Sequence, residues 1–426
     1  MSRRIVRLPL VQNWDCHACG DCCTDYVVPV TVSERKRIEQ QGWTSLPEFR
    51  NIPLFKRTSP WWQIWRRAYQ LNHRAGNRCI FLNDKKLCMI HEKFGFETKP
   101  LACRLYPYIL VPAGEQWRVS MRFACPSATA NRGRPLSSQI EDISGMAKEM
   151  ETWGDSPQQT PLLHQPPPLF DRHKQLDWAD LQRLINLLIA TLRDPRDLFP
   201  RRMLRCLALM RMLQTAQMTD LQGSRFQEWL QVLSPAIDAE VPRSLDRWAA
   251  PGWIGRVLFR SSLALYLRKD SGVRMGVARR GRLALILATM KTVLGRGQVP
   301  QLQGGLPTQT FKEVEEPLGE LQPASREALE RYYEVKLDSL QFCGRTYYGM
   351  SVWEGFMALA LTLPIIQWTA RLFRHLGQPE SIYKAISVVD ENFGYHPLLG
   401  GSRQRLGQDI LASRQELDRL IAWYGR

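Results

Sequence analysis

Eight of the ten cysteines in this 426-residue chain lie within its first 125 residues. They are Cys16, Cys19, Cys22, Cys23, Cys79, Cys88, Cys103 and Cys125, and thiolates at such short spacing are metal ligands. In Cys16-x2-Cys19-x2-Cys22-Cys23, two intervening residues let both sulfurs of a C-x-x-C turn reach one cation, and Gly20 supplies the backbone freedom the turn needs. The adjacent Cys23 must point elsewhere. Thiolates crowded this closely repel one another unless a cation neutralises them. Structural zinc takes four N or S ligands and an iron–sulfur cubane takes four cysteines, so the eight thiols exceed one site. Either two sites exist, or some thiols serve beside a site, in redox chemistry or in packing. His17 and His91 are further candidate ligands, although a lone histidine is more often a surface hydrogen-bonding group. The spacing fits neither the C-x3-C-x2-C of radical enzymes nor the two-cluster ferredoxin pattern. Cys206, set among Met203, Leu207 and Met210 at helical spacing, reads as a small buried hydrophobe, and Cys343 reads the same way.

The elements around these residues divide the chain in three. Residues 1–135 carry 22 Lys and Arg against 10 Asp and Glu, whereas residues 136–426 are nearly balanced at 36 against 31. The expected organisation is a Cys-rich metal-binding domain over 1–135, a Pro-rich linker over 136–170 and an α-helical domain over 171–426. The fold class is therefore mainly α, with an irregular Cys-rich amino-terminal domain. In the front, Val27–Val32 reads as a short strand that Pro29 confines to an edge. Thr31-x-x-Glu34 has the form of a capping box for a helix running to about Gln41. Trp61–Leu71 has helical periodicity with interleaved arginines, which suits a packed helix with a solvated basic face better than a base-stacking platform. Pro166-Pro167-Pro168 predicts an extended spacer. Beyond it, apolar residues at three- and four-residue spacing predict helices over 176–192, 203–217, 226–233, 258–267, 283–294, 327–342, 353–376 and 406–423, with Pro235 among the separators.

The composition, 44% hydrophobic and 23% charged, is that of a globular protein rather than a disordered tail or a disulfide scaffold. No run of about 18 apolar residues occurs, so no membrane span is expected. The amino terminus lacks the apolar core of a signal peptide, which leads to the expectation of a cytoplasmic protein with free thiols.

Taken in order, C-x2-C-G-x-C-C, Cys79-Ile80-Phe81-Leu82, Cys88-Met89-Ile90-His91, Lys99-Pro100-x2-Cys103-Arg104-x-Tyr106-Pro107 and Cys125-Pro126 resemble the cysteine-cluster family of zinc- or iron-chelating proteins. That family includes the flagellin lysine N-methylases. The resemblance covers about residues 14–127, and the chain length and helical second half are closer to the methylase-like members. It implies that the eight cysteines hold an iron–sulfur cluster or zinc. It further implies a protein-lysine N-methyltransferase with S-adenosylmethionine as donor and a flagellin-like or other surface protein as substrate. Arg104 would then bond a cluster sulfide, or else pair with a carboxylate such as Asp21 or Asp25. Tyr106 and Pro107 would shape the turn after Cys103.

The residues leave other readings open. No strand–Gly-x-Gly–helix element for the cofactor stands out, because Gly295-Arg296-Gly297 and Gly304-Gly305 fall in a Pro-rich stretch. No Ser–His–Asp grouping or paired-carboxylate signature favours hydrolysis. A non-enzymatic metal-chelating or scaffold protein with structural zinc is the alternative. Nucleic-acid binding by the basic front ranks lower, since no reading module accompanies the charge.

Overall fold

A computed structural model describes residues 6–59, 68–153, 163–216 and 222–426. Helices dominate it, and the eight strands among the described residues are short. The strands are β1 (Val6–Arg7), β2 (Asn13–Trp14), β3 (Pro29–Val30), β4 (Phe55–Arg57), β5 (Tyr69–Leu71), β6 (Tyr108–Ala113), β7 (Gln116–Met121) and β8 (Arg134–Pro135). They form sheets ordered β1-β7-β6, β2-β8 and β3-β5-β4.

Most buried apolar residues fall into two cores. The smaller lies between Val30 and Ile90 and is centred on Trp43, Phe49 and Phe81, whose rings meet at 5.1–5.6 Å. The larger extends from Leu101 to Tyr424. It therefore takes in the β6–β7 hairpin and Cys125, so the boundary between cores falls between Ile90 and Leu101 and not at residue 135. The hairpin is tied to the helix Pro323–Asp338 by polar groups from both sides. Arg118 donates to the Asp338 carbonyl at 2.9 Å and Ser120 to Gln341 at 2.7 Å. Lys336, fully buried, donates to the Met121 carbonyl at 3.0 Å and pairs with Asp390.

At the centre of the larger core is the helix Val352–Leu372. Ser351 caps it, and Glu354 completes the capping box. By length and composition this helix could cross a membrane, yet every residue of its most apolar window is buried within the protein. Pro364 is accommodated inside it.

Several elements differ from the sequence expectation. The described parts of the expected Pro-rich linker, residues 136–153 and 163–170, pack against the fold. Ile140, Ile143, Met146, Ala147 and Met150 recur at helical spacing, and the helix Ile140–Thr152 buries Ile143, Met146 and Ala147. Further on, Leu169 and Phe170 accept backbone bonds from Val352 and Trp353 at 2.8 Å. Pro157 and Pro161 lie outside the described residues. Residues 61–67 of the expected Trp61–Leu71 helix are also outside them, while Tyr69–Leu71 is the central strand of the β3-β5-β4 sheet. There Tyr69 packs under the Arg35 guanidinium at 4.3 Å, so tertiary pairing overrides local period. Pro235 sits within the helix Ser224–Glu240 instead of ending it. The expected helix 406–423 is two, Ser402–Ser413 and Glu416–Tyr424, broken where Gln415 adopts a left-handed φ of 55°. The helix Glu380–Asn392 was not anticipated.

Gly355 lets the central helix press against the turn before it. A β-carbon there would lie 1.9 Å from the Phe342 carbonyl oxygen, which is backbone and cannot swing away. Gly355→Ala should therefore destabilise the protein by about 1–3 kcal/mol, the usual cost of overpacking, read as a lower urea midpoint with unchanged slope.

Candidate metal centre

The first cysteine turn is shaped by two left-handed residues, Ala18 (φ 51°) and Gly20 (φ 81°). Gly20 starts the short helix Asp21–Asp25, which carries Cys22 and Cys23 on successive positions. Successive helical residues point about 100° apart, so the two side chains diverge from one backbone. Their sulfurs nonetheless stay 3.8 Å apart.

Cys79 is joined to this turn directly, its N–H donating to the Cys23 carbonyl at 2.7 Å. From Cys79 the chain makes a tight loop back to Cys88. Leu82 pairs with Cys88 in a bridge, and the Leu87 N–H is held by the Asn83 side chain at 2.9 Å. Ile80, Phe81 and Leu82 fill the smaller core from within that loop. Cys88 then caps the helix Met89–Phe94, Cys103 lies in the helix Leu101–Leu105, and Cys125 caps the helix Pro126–Thr129.

Glu34 positions Cys103. Its carboxylate closes the expected capping box at Thr31, accepting from the Thr31 N–H at 2.7 Å. It also accepts from the Leu101 N–H at 2.7 Å, at the head of the helix that carries Cys103. The helix Val32–Gln40 and its Thr31 cap agree with the sequence reading, and Pro29 lies on an edge strand as expected.

Electrostatics place the thiols in two overlapping neighbourhoods. Cys16 acts on Cys19 and Cys22, Cys19 acts on Cys22 and Cys125, and Cys23 acts on Cys19 as well as on Cys22. Cys103 feels Cys79, Cys88 and Cys23, while Cys79 feels Cys23 and Cys88. The Cys22–Cys23 step is the junction. Burial raises the pKa of Cys19, Cys88, Cys103 and Cys125, and pushes Cys79 up to about 12. Cys22 is raised first by its hydrogen bond to Cys23 and then by burial, and the same bond lowers Cys23. Against burial, backbone N–H groups favour the thiolate form. Asp21 donates to Cys19, Phe81 to Cys79, Ile90 and His91 to Cys88, and Ser127 and Ala128 to Cys125. Donors turned onto sulfur from two or three residues ahead suit a thiolate that ligates a cation. Among the described residues, the side chains are not drawn in to a closed group of three or more metal donors.

The histidines lie at the margins. His17 hydrogen-bonds through Nδ1 with the Asp15 carbonyl at 2.9 Å and Ser127 at 3.0 Å. His91 is exposed, its ring edge-on to Phe96. Arg104 pairs with a carboxylate of the front, as one of the two expectations had it, but the partner is Glu97, at 3.1 Å, and not Asp21 or Asp25. The arginine is buried and also pairs with Glu149, while Asp25 pairs with Lys269 at 2.9 Å and with Arg274. Those two cations also meet Glu391, so the end of the cysteine helix is clamped to the helical half. Burial opposes ionisation of Asp25, but Lys269 and Arg274 hold it below the ordinary carboxylate range. No local signal announced this clamp, because its partners are more than 240 residues away. Tyr106 precedes Pro107 in a cis peptide and lies 5.2 Å from Tyr26. Cys206 and Cys343 are buried among apolar side chains of the larger core, as expected for packing thiols. Of the front's basic side chains, Arg7, Arg35, Arg78, Arg104 and Arg134 form ion pairs.

Thiols carried on short helices and tight turns are the pattern expected of a metal-chelating domain of the cysteine-knuckle kind. In agreement, residues 15–126 match the CxxCxxCC family model, whose description proposes zinc or iron chelation. No curated protein and no solved structure matches the chain.

Two outcomes follow. Because most of these thiols are held protonated, capture of a cation must expel protons. Apparent affinity should fall more than tenfold per unit as pH drops from about 8 to about 6, with proton release seen by calorimetry in buffers of different ionisation enthalpy. Chelation should expose the smaller core first. Amides of Ile80–Leu82 and Met89–Ile90 should lose hydrogen-exchange protection while Val352–Leu372 keeps it.

Proposed function

We propose that the eight amino-terminal cysteines hold two four-thiolate centres. One comprises Cys16, Cys19, Cys22 and Cys125; the other comprises Cys23, Cys79, Cys88 and Cys103. What supports this reading is that Cys103 is influenced by Cys79, Cys88 and Cys23 while Cys22 is influenced by Cys16 and Cys19, with Cys23 the thiol that touches both sets. Bound zinc supplies cross-linking and Lewis acidity, and a bound iron–sulfur cluster supplies electron transfer. The protein's own groups set the site's access: Cys16 and Cys19 are exposed and Cys79 and Cys125 are buried, so the first centre faces solvent on one side.

At a finer level we read the protein as a cytoplasmic N-methylase acting on lysines of a flagellin-like or other surface protein, with S-adenosylmethionine as donor. The resemblance of residues 14–127 suggests the reaction, and all ten cysteines being free suits a reducing compartment. Tyr26 and Tyr106 adjoin Cys22, with Arg122 over the Tyr26 ring at 5.6 Å. Aromatic faces of this kind stabilise cations such as a sulfonium or an ammonium. In the transfer, a lysine amine that has lost its proton forms the N–C bond as the S–C bond of the donor breaks and the thioether leaves. A structural-zinc scaffold is the competing reading.

Purification without oxygen separates them. A brown protein with broad visible absorption, two metal centres per chain and label transferred from S-adenosylmethionine to lysines of host surface protein would support the methylase. Cys22→Ser and Cys79→Ser should each remove about half the metal, because each strips one centre, whereas Cys206→Ser should remove none. Loss of all metal from either single variant means one shared site. A colourless zinc protein that neither binds the donor nor labels any host protein is the scaffold.

A further inference from the structure

The helix Arg282–Leu294 is apolar on both sides. Leu285, Ala288 and Thr292 are buried, and the helix packs beside the helix Trp253–Tyr266. The opposite face presents Leu283, Ile286, Leu287, Met290 and Leu294, each 54–78% exposed. They follow the three- and four-residue spacing of one continuous stripe. These five large side chains are each exposed by more than half. Isolated exposed apolar residues need no explanation, but a contiguous stripe does. The neighbouring helix adds Trp253, 76% exposed, two turns before Arg260, whose guanidinium donates to the Leu294 carbonyl at 3.3 Å.

Along the chain the charge flanking the stripe has one sign, and the carboxylate that comes near in space, Glu315, pairs with Arg260 at 3.6 Å. From Ser271 to Lys312 there is no Asp or Glu, and there are seven Arg or Lys. Arg280, Arg282, Lys291 and Arg296 form no ion pair with any carboxylate among the described residues. Arg279, Arg280 and Arg282 crowd the helix amino terminus, where the macrodipole disfavours cations, so helix stability does not account for them. Beside the helix, Arg280 and Lys291 border a groove of about 470 Å³ floored by Leu287, Val299 and Pro300.

We infer that this face docks the protein, reversibly and without spanning, on an anionic lipid surface. The stripe would enter the boundary between headgroups and acyl chains, with the basic rim and the flanking groove meeting lipid phosphates. A second copy of the chain is a poorer occupant, because apposed stripes would bring two uncompensated basic rims together. An acidic protein helix could meet the basic rim as well, and the test separates it from lipid.

The test is sedimentation of the full-length, metal-replete protein with phosphatidylcholine vesicles, with or without one-third phosphatidylglycerol. Binding should require the anionic lipid and weaken with salt. Leu283→Ser/Leu287→Ser should cost at least tenfold in affinity, since each side chain loses its apolar burial. Arg280→Ala/Lys291→Ala should cost about fivefold per charge and flatten the salt dependence. Both pairs are on the surface, so metal content and thermal midpoint should not change. Vesicles that fail to bind the wild type, or bind the serine variant equally, overturn the inference. So does self-association abolished by those serines, or capture of an acidic protein by a chain indifferent to lipid.

Discussion

Burying sulfur that must carry charge is the constraint on which the amino-terminal region depends. A thiol in an apolar setting prefers its proton, and most of the eight are pushed that way. Only a cation can make their deprotonation favourable as a group. The surrounding architecture lowers the remaining cost. Tight turns aim N–H groups at sulfur, Gly20 and Ala18 bend the chain where an extended strand could not follow, and Glu34 anchors the helix of Cys103. The aromatic core of Trp43, Phe49 and Phe81 holds that scaffold together.

The second half solves a different problem. It buries a 21-residue apolar helix by wrapping it with other helices, and then uses the outside of the same layer to grip the amino-terminal region. The grip is polar. Lys336 with Asp390 reaches the end of the β6–β7 hairpin, where Asp390 also accepts from the Ala124 N–H at 3.1 Å, next to Cys125. Lys269 and Arg274 take Asp25 at the end of the cysteine helix. Both joints act on cysteine-bearing segments, so the helical half orients the thiols although it supplies none.

What the sequence disclosed was local chemistry. The Thr31–Glu34 box and the edge placement of Pro29 are short-range signals with one physical meaning each. Helix periodicity also located most of the second half. Long-range choices were illegible. Tyr69–Leu71 carries a helical period but pairs as a strand because β3 and β4 flank it. Arg104 finds Glu149 rather than Asp21 or Asp25 because the helix Ile140–Thr152 folds over it, and that helix was masked by the prolines around it. Proline clusters mark an extended stretch only where nothing packs against the neighbouring residues.

The placement of Cys125 has a consequence for how the chain is made. In the proposed two-centre arrangement, the thiols grouped with Cys23 have all emerged from the ribosome once residue 103 has. Those grouped with Cys22 must await Cys125, which synthesis at about 5–20 residues per second delivers roughly one to four seconds later. Throughout that interval three of the most accessible thiols are without their fourth companion, and the β6–β7 hairpin is still being built. The partition of sulfurs is thus also a timetable, in which one group is completed from local segments and the other only when the larger core starts to form.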